Sequence, residues 1–374
     1  MKNLKLAVIG AGRLGGFHAQ KIAAAEDVEL TAVVDPLPEN RDQVAKQCDT
    51  RAMADYRPLL DEIDAVVIAA PTKLHHKLAM ELLDAGKHVM VEKPICDTLA
   101  ESDELVEAAE RNKVVLQVGH VERFNPAFTA ATARAANPKY IEAVRSSGFT
   151  FRSTDVGVVL DLMIHDIDLV LSMVRSPLRK VEAMGLSVVG GHEDVANARL
   201  EFQCGCVASL SASRVSYEAL RRMHVWSPRC FASVDFGTRK TTLVHPSDTL
   251  LRRKFDVDSL TPDQVEYYLA NFADEHLRRE ELEFDAVDAL ALELEDFVES
   301  IRAPRMPRVS GAAGRDAIAV AEQILARINT HAWGDTIDGP AGPMAAPRRS
   351  VIPAPHFDLG KKTADVPLPR REAG

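Results

Sequence analysis

The chain has little cysteine, no long apolar run and no cationic surplus, and each shortage excludes a class of protein. Its five cysteines, at 48, 96, 204, 206 and 230, are odd in number and scattered. They give no disulfide framework and point to a reducing compartment, the cytoplasm. No stretch of 18 apolar residues and no secretory h-region follows Met1-Lys2-Asn3-Leu4-Lys5, which argues against a spanning or exported chain. A net charge of −10 argues against general binding to nucleic acid or anionic membranes, both of which require a cationic surface. Any anionic ligand must therefore be held by local Arg and Lys groups. Cys204-Gly205-Cys206 has no second Cys/His pair nearby and falls at an expected hairpin turn, so no metal is expected.

What is present is an ordinary globular composition, 46% hydrophobic and 27% charged, in 374 residues, enough for two domains with cores of their own. From residue 4 to about 120, short apolar strands (4–9, 29–34, 65–69, 88–91, 114–118) alternate with helical stretches such as 14–25 and 99–110. This rhythm predicts a parallel sheet covered on both faces. Thr98 with Glu101 reads as a capping box. Beyond residue 122 antiparallel-looking strands dominate, followed by helical patterns over 284–301 and 312–330. The expected organisation is an α/β dinucleotide-binding Rossmann domain over 1–122 and an α+β domain with an open-faced mixed or antiparallel sheet over 123–335. An extended tail over 336–374 follows, where seven of 39 residues are proline.

Leu6 to Ile9 lead into Gly10-Ala11-Gly12-Arg13-Leu14-Gly15, a G-x-G-x-x-G at a strand-to-helix junction. Such glycines permit a tight turn, close approach of backbone to a pyrophosphate, and close packing of helix on strand. Asp35 ends the next apolar strand, 20 residues after Gly15, where an acid should hold the adenosine ribose hydroxyls. A 2′-phosphate about 5 Å from that carboxylate would meet about 3 kcal/mol of repulsion per charge at an effective dielectric near 20. NAD is therefore favoured over NADP, although Arg13 could offset part of the difference.

Two further segments carry chemistry. Val91-Glu92-Lys93-Pro94 closes one apolar strand, and Asp161-Leu162-Met163-Ile164-His165-Asp166-Ile167-Asp168 lies in an otherwise apolar stretch. At helical spacing Asp161, His165 and Asp168 share one polar stripe, which a core helix does not need and which is costly to bury.

These motifs, with Ala70-Pro71-Thr72-Lys73-Leu74-His75, Ala85-Gly86-Lys87-His88-Val89 and Arg123-Phe124-Asn125-Pro126-Ala127, resemble the Gfo/Idh/MocA oxidoreductases over residues 4 to 332. Met163 departs from the glycine that relatives often carry before the histidine, which puts substrate size in doubt. The resemblance implies a Rossmann domain, a sheet domain and a cleft between them. It implies cofactor contacts from Gly10, Gly12, Arg13, Leu14, Gly15, Asp35, Pro71, Thr72, His75, Glu92 and Lys93. Lys93, Asp161 and His165 are implied as the catalytic set, with Arg123 and Asn125 joining them around the substrate. The residue chemistry agrees with this. A base must take the hydroxyl proton as hydride leaves carbon, which suits His165, and a cation such as Lys93 can stabilise developing alkoxide charge. Asp161 can orient the sugar or the imidazole.

The runs 118–126 and 160–166 resemble the nucleotide-sugar branch, in particular enzymes that oxidise UDP-N-acetylglucosamine at C3. Arg152, Arg214, Arg221 and Arg222 are then candidate diphosphate contacts. Oxidation of inositol or a free sugar, and an NAD-dependent glycosidase, are alternatives. A non-catalytic NAD-binding regulator fits least, because it would not need a proton-transfer set. A homo-oligomer formed through the second-domain sheet is expected.

Overall fold

The computed structural model describes residues 3–151, 156–189, 191–303 and 305–331, and the backbone of Met344–Ala345. Six strands form the first sheet: β1 (Leu4–Ile9), β2 (Val28–Val34), β3 (Arg51–Met53), β4 (Ala65–Ile68), β5 (His88–Glu92) and β6 (Leu116–Gly119). They are parallel, in the order β3-β2-β1-β4-β5-β6. Helices α1 (Arg13–Ala24), α2 (Pro38–Gln47), α3 (Thr72–Asp84) and α4 (Leu99–Asn112) connect them. All four residues of β4 are buried, which explains its uninterrupted apolar sequence. The strand order reverses between β1 and β4. The crevice beyond their carboxyl ends is where such sheets take ligands, and Gly10 and Pro71-Thr72 flank it.

After α5 (Pro126–Arg134), capped by Asn125, a second sheet begins with β7 (Tyr140–Ser146). A helical segment follows that opens with a π turn over Val159–Met163 and continues as α6 (Ile164–Val174). Strands β8 (Leu178–Ser187), β9 (Val195–Phe202), β10 (Val207–Ser213), β11 (Leu220–Trp226), β12 (Phe231–Asp235) and β13 (Lys240–Pro246) come next. A short α7 (Asp248–Leu251) and α8 (Pro262–His276) precede β14 (Leu277–Glu283), and α9 (Ala289–Arg302) and α10 (Gly311–Thr330) close the fold. The sheet is mixed, ordered β14-β13-β12-β11-β7-β10-β9-β8 with β15 (Met344–Ala345) at the β8 edge; β7 and β10 pair in parallel. Apart from that short β15 backbone, the proline-rich tail lies outside the described residues.

Two sequence expectations need correction. The helix expected over 284–301 begins at Ala289, because the Asp288 side chain accepts the Ala291 N–H and fixes the start there. Leu-Arg-Arg-Glu-Glu-Leu-Glu forms β14, its charges lying on an edge strand where they are solvated. The His165 segment is not one regular α-helix, since the π turn widens its first turn.

The last two helices join the sheets. α10 lies against β6 so closely that a Cβ at Gly311 or Gly314 would meet Leu116 or Val118 within 2.5–2.6 Å. α9 sets Leu294, Phe297 and Val298 into the core formed by β1 and α1. It also buries Glu293 completely, with neither carboxylate oxygen hydrogen-bonded. Burial, then the charges of Glu92, Asp296 and Asp168, push that carboxyl far above its ordinary value. A carboxyl whose pKa is raised on folding stabilises the fold below its unfolded value and loses that contribution as pH rises. Glu293→Gln should therefore gain Tm over wild type, with the gain widening from about pH 5 to pH 8. Paired thermal melts test this, and a gain independent of pH would count against a buried neutral acid.

Candidate active site

The glycine loop is shaped as a phosphate cradle. Gly10 has φ +98, and a Cβ there would lie 2.5 Å from the Ala69 carbonyl oxygen. At Gly15 a Cβ would lie 1.8 Å from the Gly10 oxygen, so only glycine lets α1 start against the loop. Around Gly12 the space is open, with nothing within 4 Å of a Cβ position. No side chain caps α1 and no acid sits in its first turn, so its N–H groups and positive dipole end remain available to a pyrophosphate. Asp35 supports the loop: its Oδ2 accepts the Ala11 N–H at 2.8 Å and its Oδ1 the Leu37 N–H at 2.9 Å. These residues fit a dinucleotide. Arg13 lies over the Phe17 ring and makes no ion pair among the described residues; Leu14 is exposed on α1. Pro71 and Thr72 begin α3 at the same crevice.

Lys93 follows the end of β5, with a cis Lys93-Pro94 peptide. Its Nζ crosses to the second sheet's helical segment, donating to the Asp161 carbonyl oxygen at 2.6 Å and lying 3.2 Å from Asp161 Oδ1. Both side chains are about one-fifth exposed, so the pair stands at the edge of solvent. Glu92, one residue back, faces inward. Its Oε1 lies 2.6 Å from His18 Nε2 and its Oε2 accepts the Lys93 N–H at 3.2 Å, which fixes the backbone that carries Lys93.

His165 follows the π turn one turn after Asp161. Its Nδ1 is buried without a partner. Burial first, then the positive charges of Lys93 and Arg145, hold the imidazole pKa well below its ordinary value. The ring is thus neutral near pH 7 and able to accept a proton, instead of titrating close to neutrality as the sequence suggested. Among the described residues Asp161 makes no hydrogen bond to this ring; its carboxylate serves Lys93.

A residue that sequence reasoning passed over completes the cluster. His120, 1% exposed, meets His165 edge-to-face with ring centroids 6.1 Å apart, and its Nδ1 is also unpartnered. Its position directly after β6 was the available signal, because strand ends of such sheets face the ligand crevice.

Several expected site residues serve as scaffold. Arg123 Nε donates to buried Asp168 at 2.9 Å, so Asp168 balances an arginine and does not extend the Asp161–His165 stripe. Asn125 caps α5 through Oδ1 and donates from Nδ2 to Glu122, leaving little of it for a substrate. His75 is 1% exposed with its nitrogens 2.9 Å from the Pro94 oxygen and 2.7 Å from the Ala70 oxygen, so it braces the Lys93-Pro94 turn from behind. Beneath His165, Arg145 binds Asp166 through Nη2 at 2.9 Å and Glu122 through Nη1 at 2.9 Å. Of the four candidate diphosphate arginines, Arg214 is buried with Nε 2.6 Å from Asp194, and Arg222 donates to Asp235 at 3.0 Å. Arg152 lies outside the described residues, and Arg221 makes no ion pair among them. The five cysteines are free, and no cluster suited to a metal occurs among the described residues.

Residues 4–120 match the oxidoreductase family with an NAD-binding Rossmann fold, and 127–228 match the Gfo/Idh/MocA C-terminal domain. UDP-N-acetylglucosamine 3-dehydrogenase of Acidithiobacillus ferrooxidans is 36% identical over 325 residues, 87% of this chain and 97% of that protein. The chain belongs to the Gfo/Idh/MocA family. It is an NAD-binding oxidoreductase, and the Rossmann-plus-mixed-sheet architecture is that of its relatives. A solved structure of the same A. ferrooxidans enzyme superimposes with TM-score 0.76 at 35% identity, covering 87% of this chain and 98% of that one. The scyllo-inositol 2-dehydrogenase (NAD(+)) of Bacillus subtilis is 28% identical over 82% of this chain and 89% of its own. Levoglucosan dehydrogenase, solved with NADH, shares the fold at TM-score 0.73 and 18% identity, covering 87% of this chain and 96% of that one. No helix among the described residues is long and apolar enough to cross a membrane.

Asp35→Ala should weaken NAD about tenfold and narrow its advantage over NADP, because it removes both a ribose acceptor and the charge opposing a 2′-phosphate. Titration with each dinucleotide tests this; an unchanged ratio of dissociation constants would misplace the ribose contact.

Proposed function

We propose that the protein oxidises a secondary hydroxyl of a nucleotide sugar, UDP-N-acetylglucosamine at C3 or a close UDP-hexosamine, with NAD as acceptor. The observation that carries this is the meeting of Lys93, Asp161 and a neutral His165 at the carboxyl edge of the Rossmann sheet, from segments 68 and 72 residues apart. The A. ferrooxidans relative, aligned over nearly its whole length, supports the sugar.

NAD, when bound in the glycine cradle, would take the hydride from the carbinol carbon. His165 accepts the hydroxyl proton, and its depressed pKa keeps it free to do so. Lys93 donates a hydrogen bond to the reacting oxygen and stabilises the negative charge that grows there as the proton leaves. Asp161 fixes the ammonium and has carboxylate capacity left for a neighbouring hydroxyl. The products are the ketone, the reduced cofactor and a proton on His165. The free cysteines suit a reducing cytoplasm. The outer face of the second sheet carries the half-buried row Tyr140, Trp226 and Phe231, whose rings pack at 5.0 Å spacings. Such a row suits a homo-oligomer joined through that sheet.

Lys93→Ala and His165→Ala should each lower kcat by about 10²–10⁴-fold while NAD binding persists. Retention of more than about a third of wild-type turnover would remove the residue from proton transfer. The acid limb of kcat/KM should fall below the ordinary histidine value of about 6.5, since the base must be neutral and folding lowers its pKa. A panel of UDP-sugars, free sugars and inositols, followed by NADH absorbance and product mass, tests the substrate. Equal kcat/KM for free N-acetylglucosamine and its UDP conjugate would defeat the nucleotide-sugar reading. Preferred oxidation of an inositol would move the protein toward the B. subtilis relative, and sugar release without net NADH would indicate a glycosidase.

A further inference from the structure

We propose that Arg221 is the diphosphate anchor of the substrate site, which makes the ligand class a nucleoside diphosphate conjugate and not merely a polyol. This rests on the nucleotide-sugar reading and adds the residue that would enforce it. Residue register supplies the first argument. β11 pairs antiparallel with β7 so that Arg221 stands opposite Arg145, and Arg222 opposite Val144. Opposite residues share a face. Arg221 is therefore on the face that carries Arg145, Asp166 and His165, and Arg222 is on the outer one.

The second argument is charge. Two arginines directly opposite repel. Arg145 is neutralised by Asp166 and Glu122, whereas Arg221, exposed, has no counter-ion among the described residues. Its positive charge is nevertheless close enough to act on both His165 and Asp166. A cation held beside a reaction site, without an acid of its own, suits an anionic group on the ligand. In a nucleotide sugar the diphosphate lies across one hexose ring from a reacting ring hydroxyl, and a guanidinium binds phosphate oxygens in a bidentate fork.

The third argument is the surroundings. The segments that continue β7 and lead into β11 leave the sheet at this same end and are tied together there. Ser147 N–H donates to the Ser213 oxygen at 2.9 Å, Ser216 N–H to the Ser147 oxygen at 3.0 Å, and Leu220 N–H to Ser146 Oγ at 3.2 Å. They carry two of the most exposed aromatic rings among the described residues, Phe151 at 84% and Tyr217 fully exposed. An exposed guanidinium and exposed aromatic rings at the same end of the sheet suit a pyrimidine nucleotide, the ring for base stacking and the cation for phosphate.

The test compares wild type with Arg221→Ala, Arg221→Gln and Arg221→Lys. UDP, uridine and NAD binding are measured by calorimetry, and kcat and KM with UDP-N-acetylglucosamine. In Arg221→Ala and Arg221→Gln the Kd for UDP and the KM for the UDP-sugar should rise about 10–100-fold, the loss falling on KM and not on kcat. Uridine and NAD should bind as in wild type, which also shows that the variants fold, and Arg221→Lys should recover part of the loss. UDP affinity within about twofold of wild type in the Ala and Gln variants would overturn the assignment. So would equal weakening of UDP and uridine, because the contact would then not be to phosphate. The two readings fail separately. Wild type that neither binds UDP nor reduces NAD with any UDP-sugar defeats the nucleotide-sugar reading and this anchor with it. Wild type that does both while the variants match it defeats the anchor alone.

Discussion

The site depends on one contact, the bridge from Lys93 to Asp161. It joins the carboxyl end of β5 in the Rossmann sheet to the helical segment of the second sheet, and both partners keep some access to water. A lysine on a flexible four-carbon stem is a poor positioning device unless its base and its tip are both fixed. Here Glu92 fixes the base through the Lys93 N–H, and His75 sits behind the Pro94 carbonyl. The tip is fixed mainly by the Asp161 carbonyl oxygen, with the carboxylate longer at 3.2 Å. The π turn belongs to this arrangement. It departs from the regular helical ladder where Asp161 sits, and the Asp161 carbonyl oxygen accepts from the lysine there.

Around this bridge charges are divided by burial. Two deep acids have a cation each: Asp168 has Arg123, and Asp166 has Arg145. A buried ion pair is neutral toward stability at best, but it sets positions firmly, since losing one partner leaves an uncompensated charge. The imidazoles of His165 and His120 lie above these pairs without hydrogen bonds on Nδ1. An unmet buried nitrogen costs about 1–3 kcal/mol, and the fold tolerates two of them next to each other at the cleft. Such a cost is reasonable where a ligand supplies the missing partners.

Much of this was legible in the sequence. The glycine loop, the apolar parallel strands and the capping box at Thr98 are local signals, and each is realised as a local structure. Lys93, Asp161 and His165 stand out in the sequence for a different reason, because residues costly to bury are conspicuous in apolar surroundings. What was not legible depends on tertiary pairing. Asp168 reads as part of the His165 stripe until Arg123 arrives from 45 residues away. Arg123 and Asn125 were implied as substrate contacts by the resemblance, and a motif does not tell a free polar group from one already bonded. His120 was hidden in a motif that the strand end explains only once the sheet order is known.

The same reasoning separates the arginines of the second sheet. On a strand, neighbours in sequence face opposite sides, so Arg221 and Arg222 cannot serve the same ligand. Arg222 meets Asp235 on the outer face, and Arg214 is consumed by Asp194, which also accepts two backbone N–H groups from Val188 and Val189. Of Arg145, Arg214, Arg221 and Arg222, three therefore build structure, and Arg221 is left on the face that carries Arg145. An acidic protein that takes an anionic ligand must reserve a local cation for it against its own field. Arg221 is where the paired charges of this sheet leave one.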